Sequence, residues 1–147
     1  MAESLEHRSH QRLRTYWEGL KGGRPFPRED EIDPDTLRDI WDSCFLISID
    51  DVTHRLGYRY SYLGKDLILA YGDDVKDPNI AMQMLSTVSA PMVQKFDEVR
   101  EKKTPVVDEA EFVNLKHFNI RYRTCILPLG RDGEITHLIG CMRWKAV

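Results

Sequence analysis

An α+β domain built on one five-stranded antiparallel sheet is the fold class this chain predicts, and three observations carry it. Two strand-like segments, 44–50 and 58–64, precede a helical block at 65–103. Three more, at 105–114, 118–129 and 136–145, follow it. Ahead of everything lies an amphipathic helix, so helices pack one face of the sheet and the leading helix is free for the other face or for a dimer partner.

That leading helix spans residues 10–21. Leu13, Tyr16, Trp17 and Leu20 fall at i, i+3, i+4 and i+7, one apolar stripe on a charged surface. Gly22 and Gly23 stop it, and prolines 25, 27 and 34 keep the next segment extended. Residues 1–34 therefore form a helix and arm, and 35–147 the domain proper. The charge run REDEID (28–33) in that arm reads as solvated surface. A short helix is expected at 35–43, with Asp33 as its cap and Leu37, Ile40 and Trp41 on one side.

CFLISID (44–50) is an apolar run of the kind a sheet buries on both faces, and 50–57 reads as a hairpin connection containing His54. In YRYSYLG (58–64), Tyr58, Tyr60 and Tyr62 alternate with Arg59 and Ser61 and so share a face. A short helix at 65–72 ends at Gly72 and the acidic turn Asp73–Asp74. A long one follows from 79 to 103, carrying Leu85, Val88, Met92, Phe96 and Val99, with a bend or break at Pro91.

In the fourth strand Phe118, Ile120, Tyr122, Thr124 and Ile126 occupy one face. Asn119, Arg121 and Arg123 begin the other before Cys125, Leu127 and Leu129 turn it apolar. The turn at 130–134 holds Asp132-Gly133, a strong hairpin signal. The last strand is apolar on both parities and belongs in the centre.

These residues resemble a PAS subfamily common in alphaproteobacteria and often found as a stand-alone domain. The resemblance runs through Y-W-x-x-L-x-G-G-R-x-x-P-x-R-x-x-x-I-D-P at Tyr16–Pro34, FLI at 45–47 and YRYSYLG at 58–64. It continues in R-x-x-x-L-P-L at 123–129, Asp132-Gly133 and the apolar strand ending near Gly140, covering residues 12 to 145. After Gly72 the chain departs from it: the family tends toward Gly-Asp-(x)-Thr-Gly, and this chain has Gly-Asp-Asp-Val-Lys-Asp. The resemblance implies a sensory or protein-interaction module of bacterial signalling, paired through the preceding helix, for which Leu13, Tyr16, Trp17 and Leu20 are the natural residues. An unidentified signalling protein is the expected partner, because no output segment follows Val147.

Composition sets limits. With 147 residues, a net charge of −3 and no arginine-rich block, the chain is a poor fit to nucleic acid. It shows no secretory leader and no apolar run approaching the ~18 residues of a membrane span, so the cytoplasm is the expected location. Cys44, Cys125 and Cys141 lack metal spacing and read as buried thiols.

No cofactor is identified by these residues. Haem wants a histidine on the helical layer, and His7, His10, His54, His117 and His137 all lie outside 65–103. A covalent flavin wants a cysteine there, and all three sit on strands. A small ligand in an apolar pocket stays open, with Tyr58, Tyr60, Tyr71, Met92, Phe96, Tyr122 and Thr124 as candidate liners; plain core packing is the favoured role for them. Arg121 and Arg123, opposite Arg59, are an anion site or, by preference, partners of Asp108, Glu109 and Glu111. No catalytic grouping stands out. The rival reading is a small α+β isomerase or hydratase using Asp108, Glu111 or His137 for proton transfer.

Overall fold

The computed structural model describes residues 2–50, 57–72 and 90–147. Helix α1 (Ala2–Lys21) is followed by the arm, with a 3-10 turn at Glu29–Glu31 and another at Trp41–Ser43. Strands β1 (Cys44–Ile49) and β2 (Tyr58–Leu63) come next, then α2 (Lys65–Ala70) and α3 (Ala90–Lys102). Strands β3 (Val106–Val113), β4 (Asn119–Arg131) and β5 (Glu134–Ala146) complete one antiparallel sheet in the order β2-β1-β5-β4-β3. The last strand is central, as its two apolar parities predict. The hairpin residues 51–56 with His54, the acidic turn Asp73–Asp74 and the helical stretch 79–89 that would run into Pro91 lie outside the described residues.

Both faces of this sheet are buried. The inner face carries Phe45, Ile47, Tyr58, Tyr60, Tyr122, Ile126, Leu138 and Met142 against Leu67, Met92, Phe96 and Val99 of the helices. On the outer face, Cys44, Cys125, Leu127, Leu129, Ile139 and Cys141 pack under Leu13, Trp17, Phe26, Leu37 and Ile40. The leading helix therefore spends its stripe on its own sheet. Leu13 and Trp17 are buried, while Tyr16 and Leu20 sit half-buried at its margin.

Local chemistry sets these elements. Gly22 takes the left-handed conformation (φ +56°) that ends α1. The Arg24 guanidinium then donates to the carbonyls of Leu20 and Lys21 at 2.6 and 3.1 Å, satisfying acceptors that a helix end leaves open. Asp132 and Gly133, both at positive φ, form a two-residue turn that sets Arg131 opposite Glu134.

Three expectations are corrected. Residues 35–43 form no α-helix: i→i+3 backbone bonds from Thr36, Leu37, Arg38 and Ile40 make a string of tight turns leading into Trp41–Ser43. The tight turns carry Leu37 and Ile40 into the outer core as the chain runs straight into β1. Asp33 still caps the start, accepting from the Asp35 N–H at 3.0 Å and the Thr36 hydroxyl at 2.9 Å.

Tyr62 does not share a face with Tyr58 and Tyr60. The register jumps so that Leu46 faces Tyr62 while Ile47 faces Tyr60, leaving Ser61 as the extra residue of a bulge. Tyr62 turns to the outer face and stacks on Trp41 at 4.6 Å, its hydroxyl donating to the Trp41 carbonyl.

Phe118 is exposed and lies ahead of β4. The Asn114 side chain accepts the N–H groups of Lys116 and Phe118, and His117 sits at φ +66°, so the turn ends one residue later than the pattern suggests.

Candidate functional site

Sequence singled out seven residues, and five of them, Tyr58, Tyr60, Met92, Phe96 and Tyr122, meet in one cluster between the inner sheet face and α3. Strand alternation delivers the tyrosines to that face, and the four-residue step from Met92 to Phe96 places both on one side of α3. The Tyr58 ring tilts against Phe96 at 5.1 Å, and Phe45 stands edge-on to Tyr60 at 6.0 Å. Tyr71 joins from the end of α2 through Phe112, at 5.1 Å, which in turn meets Tyr122 at 5.9 Å. Thr124 turns aside: fully buried, it donates its hydroxyl to the Cys141 carbonyl at 3.1 Å.

Each phenol has a partner within the protein. Tyr58 donates a short hydrogen bond to the Asp97 carboxylate, and Arg100 lies over its ring at 5.7 Å. The Tyr60 and Tyr71 hydroxyls are hydrogen-bonded to each other. Tyr122 points at the Met92 sulfur, 3.8 Å away. Burial, reinforced by Asp97, pushes Tyr58 up to about 12, and burial with the charge of Asp108 does the same to Tyr122. Burial likewise raises Tyr60 and Tyr71. These hydroxyls stay protonated at neutral pH and serve as donors, not as bases or nucleophiles. Among the described residues the cluster is closely packed aromatic core, and it brings no histidine together with a carboxylate.

The rival catalytic set does not converge. Asp108 pairs with Lys95 at 3.6 Å, and Glu111, an odd number of positions along β3, points to the opposite face and pairs with Arg121 at 2.8 Å. His137 is at the far end of the sheet, paired with Ser48 and Leu129, its Nδ1 beside the Thr136 hydroxyl. Burial lowers its pKa. Arg123 faces Glu109 at 3.6 Å, so both β4 arginines pair with carboxylates as expected. Arg59 is not opposite them, because it lies on β2, separated from β4 by β1 and β5. Among the described residues no group of three metal-capable side chains comes together, and no helix is long and apolar enough to cross a membrane.

The arm carries what sequence reading missed. Glu31 takes the Arg24 guanidinium at 2.7 and 3.0 Å and accepts the Arg28 N–H at 2.9 Å. Its carboxyl is thereby lowered to about 2, the Arg24 bond being the largest cause. The Tyr16 hydroxyl accepts from the Asp33 N–H at 2.8 Å and donates to the Glu31 carbonyl at 3.4 Å. Arg131 reaches Asp30 at 2.7 Å, and the Gly130 N–H donates to the Pro27 carbonyl at 2.9 Å. The run 28–33 is mostly exposed, as expected, and its bonds also tie α1 to the end of β4. The sequence signal was the spacing of Arg24 and Glu31 across the prolines.

The three cysteines lie in one row, Cys44 opposite Cys141 and Cys141 opposite Cys125, on the outer face beneath α1 and the turns. Burial pushes Cys125 up to about 11, and its hydrogen bond with Cys141 together with burial raises Cys44.

A family model described as PAS domain matches residues 5–143. The fold is similar to the dark structure of the Aureochrome1 blue-light photoreceptor LOV domain, at 11% identity and TM-score 0.53, over 76% of this chain and 79% of that one. It is also similar to the LOV domain of a blue-light activated histidine kinase from Erythrobacter litoralis, at 10% identity and TM-score 0.50, over 71% and 96% of the two chains. No curated protein matches by sequence.

Proposed function

Because the chain belongs to the PAS domain family, we propose that it is a non-enzymatic sensory module of bacterial cytoplasmic signalling, passing its state to another protein by contact. The observation that carries this reading is the manner in which α1 is held. Its stripe closes the outer face of the sheet, and among the described residues a handful of directional bonds hold it there: Trp17 to Pro128, Tyr16 to the arm, and Arg12 to Asp39 and the Thr36 carbonyl. A cover held in this way has two arrangements, docked and released, and a ligand or partner that prefers one shifts the balance.

A small apolar or aromatic molecule beside Tyr58, Tyr60, Phe96 and Tyr122 would act through the sheet that α1 covers. The cysteine row on the outer face speaks against a flavin adduct, which needs a thiol on the helical side. The expected homodimer would arise by exchange of α1 between copies, since exchange preserves the contacts of Leu13 and Trp17.

Native mass spectrometry of the protein purified from its own host is the test. A second copy or a second protein held without covalent bonds supports the reading. The bare chain at every concentration contradicts it.

A further inference from the structure

We propose that the outer face of the sheet, along the run of Arg121, Arg123, Arg143 and Lys145 beside α1, binds an extended acidic segment of a partner protein, with carboxylates at alternate positions. Arg121 lies directly opposite Lys145, and Arg123 directly opposite Arg143, in an unbroken register on the face that carries Cys125 and Cys141. Like charges opposite each other on neighbouring strands are destabilising. Two such pairs in succession, on a chain of net charge −3, repel each other wherever carboxylates do not neutralise them.

Among the described residues, carboxylates neutralise half of this charge. The β3 strand sets Glu111 against Arg121 and Glu109 against Arg123. On β5, Arg143 reaches the hydroxyl of Ser43 at 3.4 Å, which itself donates to Asp66. Among the described residues neither Arg143 nor Lys145 forms a salt bridge. The six charged side chains border an open concavity of about 450 Å³.

The geometry selects the occupant. Arg143 and Lys145 are two positions apart on one strand face, a separation of roughly 7 Å at ~3.4 Å per residue. A second extended chain carrying Glu-x-Glu presents carboxylates at that same period, and β3 already does so for the β4 arginines. A small anion in so open a site meets one cation pair at a time, and two uncompensated charges are too few to track a nucleic-acid backbone. The inference rests on the protein-contact reading above and names the surface and the chemistry of the contact.

The test measures binding of a labelled peptide with Glu at alternate positions by the intact chain and by the double variant Arg143→Glu, Lys145→Glu. A peptide with Gln in place of Glu and inorganic pyrophosphate serve as controls. The expected result is salt-sensitive binding of the Glu peptide only, weakened roughly tenfold or more in the variant, as loss of two exposed ion pairs implies. The variant's melting temperature should hold or rise, because each like-charge pair becomes an opposite-charge pair. Equal binding by the variant, no binding by the intact chain at low salt, displacement by pyrophosphate, or a fall in melting temperature overturns the proposal. A protein partner retained by the variant in native mass spectrometry ends this inference while leaving the protein-contact reading intact.

Discussion

The indole Nε1 of Trp17 donates a hydrogen bond to the backbone carbonyl of Pro128, 2.7 Å away, and both groups are buried. Pro128 lies in β4 past the end of β3, whose first residue, Val106, faces Ile126. A proline is tolerated there because that edge asks for no N–H. Its carbonyl is left open, and α1 satisfies it. Trp17→Phe keeps most of the ring burial but orphans this carbonyl, and should cost about 1–2 kcal/mol in urea unfolding. Trp17→Ala also empties the outer core, so about 3–5 kcal/mol is expected.

The Arg24–Glu31 pair predicts an acid sensitivity. Glu31 is lowered from 4.5 to about 2 in the folded chain. The stabilisation is thus fully present above pH 4.5 and lost as pH falls toward 2. The pair lies part-buried at the surface, so salt should shrink the effect. Glu31→Gln should flatten the dependence of the melting temperature over that range, and an unchanged slope would contradict the assignment.

At the alkaline end the sign reverses. Tyr58 and Tyr122 are raised from 10 to about 12, so the stability they lend is present below pH 10 and lost as pH climbs toward 12. Phenolate absorbance should show late-titrating tyrosines in the native protein that return to ordinary values on unfolding. Tyr58→Phe should remove one of them and leave Asp97 to Arg100.

Much of this architecture was legible in the residues. Apolar parity placed β5 in the centre, the Asp132-Gly133 dipeptide marked the β4–β5 turn, and the Leu13–Trp17 spacing marked the face that α1 buries. Other features depend on partners that a local pattern does not contain. One extra residue, Ser61, sends Tyr62 to the opposite face while leaving the alternation of YRYSY unaltered on paper. Residues 35–43 have helical spacing but close into i→i+3 turns, with Leu37 and Ile40 drawn into the core. The acidic arm looks solvated until Arg24 is seen to fold back on Glu31. At the inner cluster, residue type and parity gathered Tyr58, Tyr60 and Tyr122, whereas the hydroxyl of Thr124 was claimed by a neighbouring strand's carbonyl.

Helix α1 as a releasable cover is tested most directly by thiol labelling of Cys125, which is 2% exposed beneath it. Labelled peptides are mapped by mass spectrometry in the intact protein and in Trp17→Ala, both under native conditions. Slow modification of Cys125 in the intact chain and rapid modification in the variant, with far-ultraviolet circular dichroism still showing the sheet, is the expected result. Rapid labelling of the intact chain, or equal rates in the two proteins, would contradict a helix that closes the outer face.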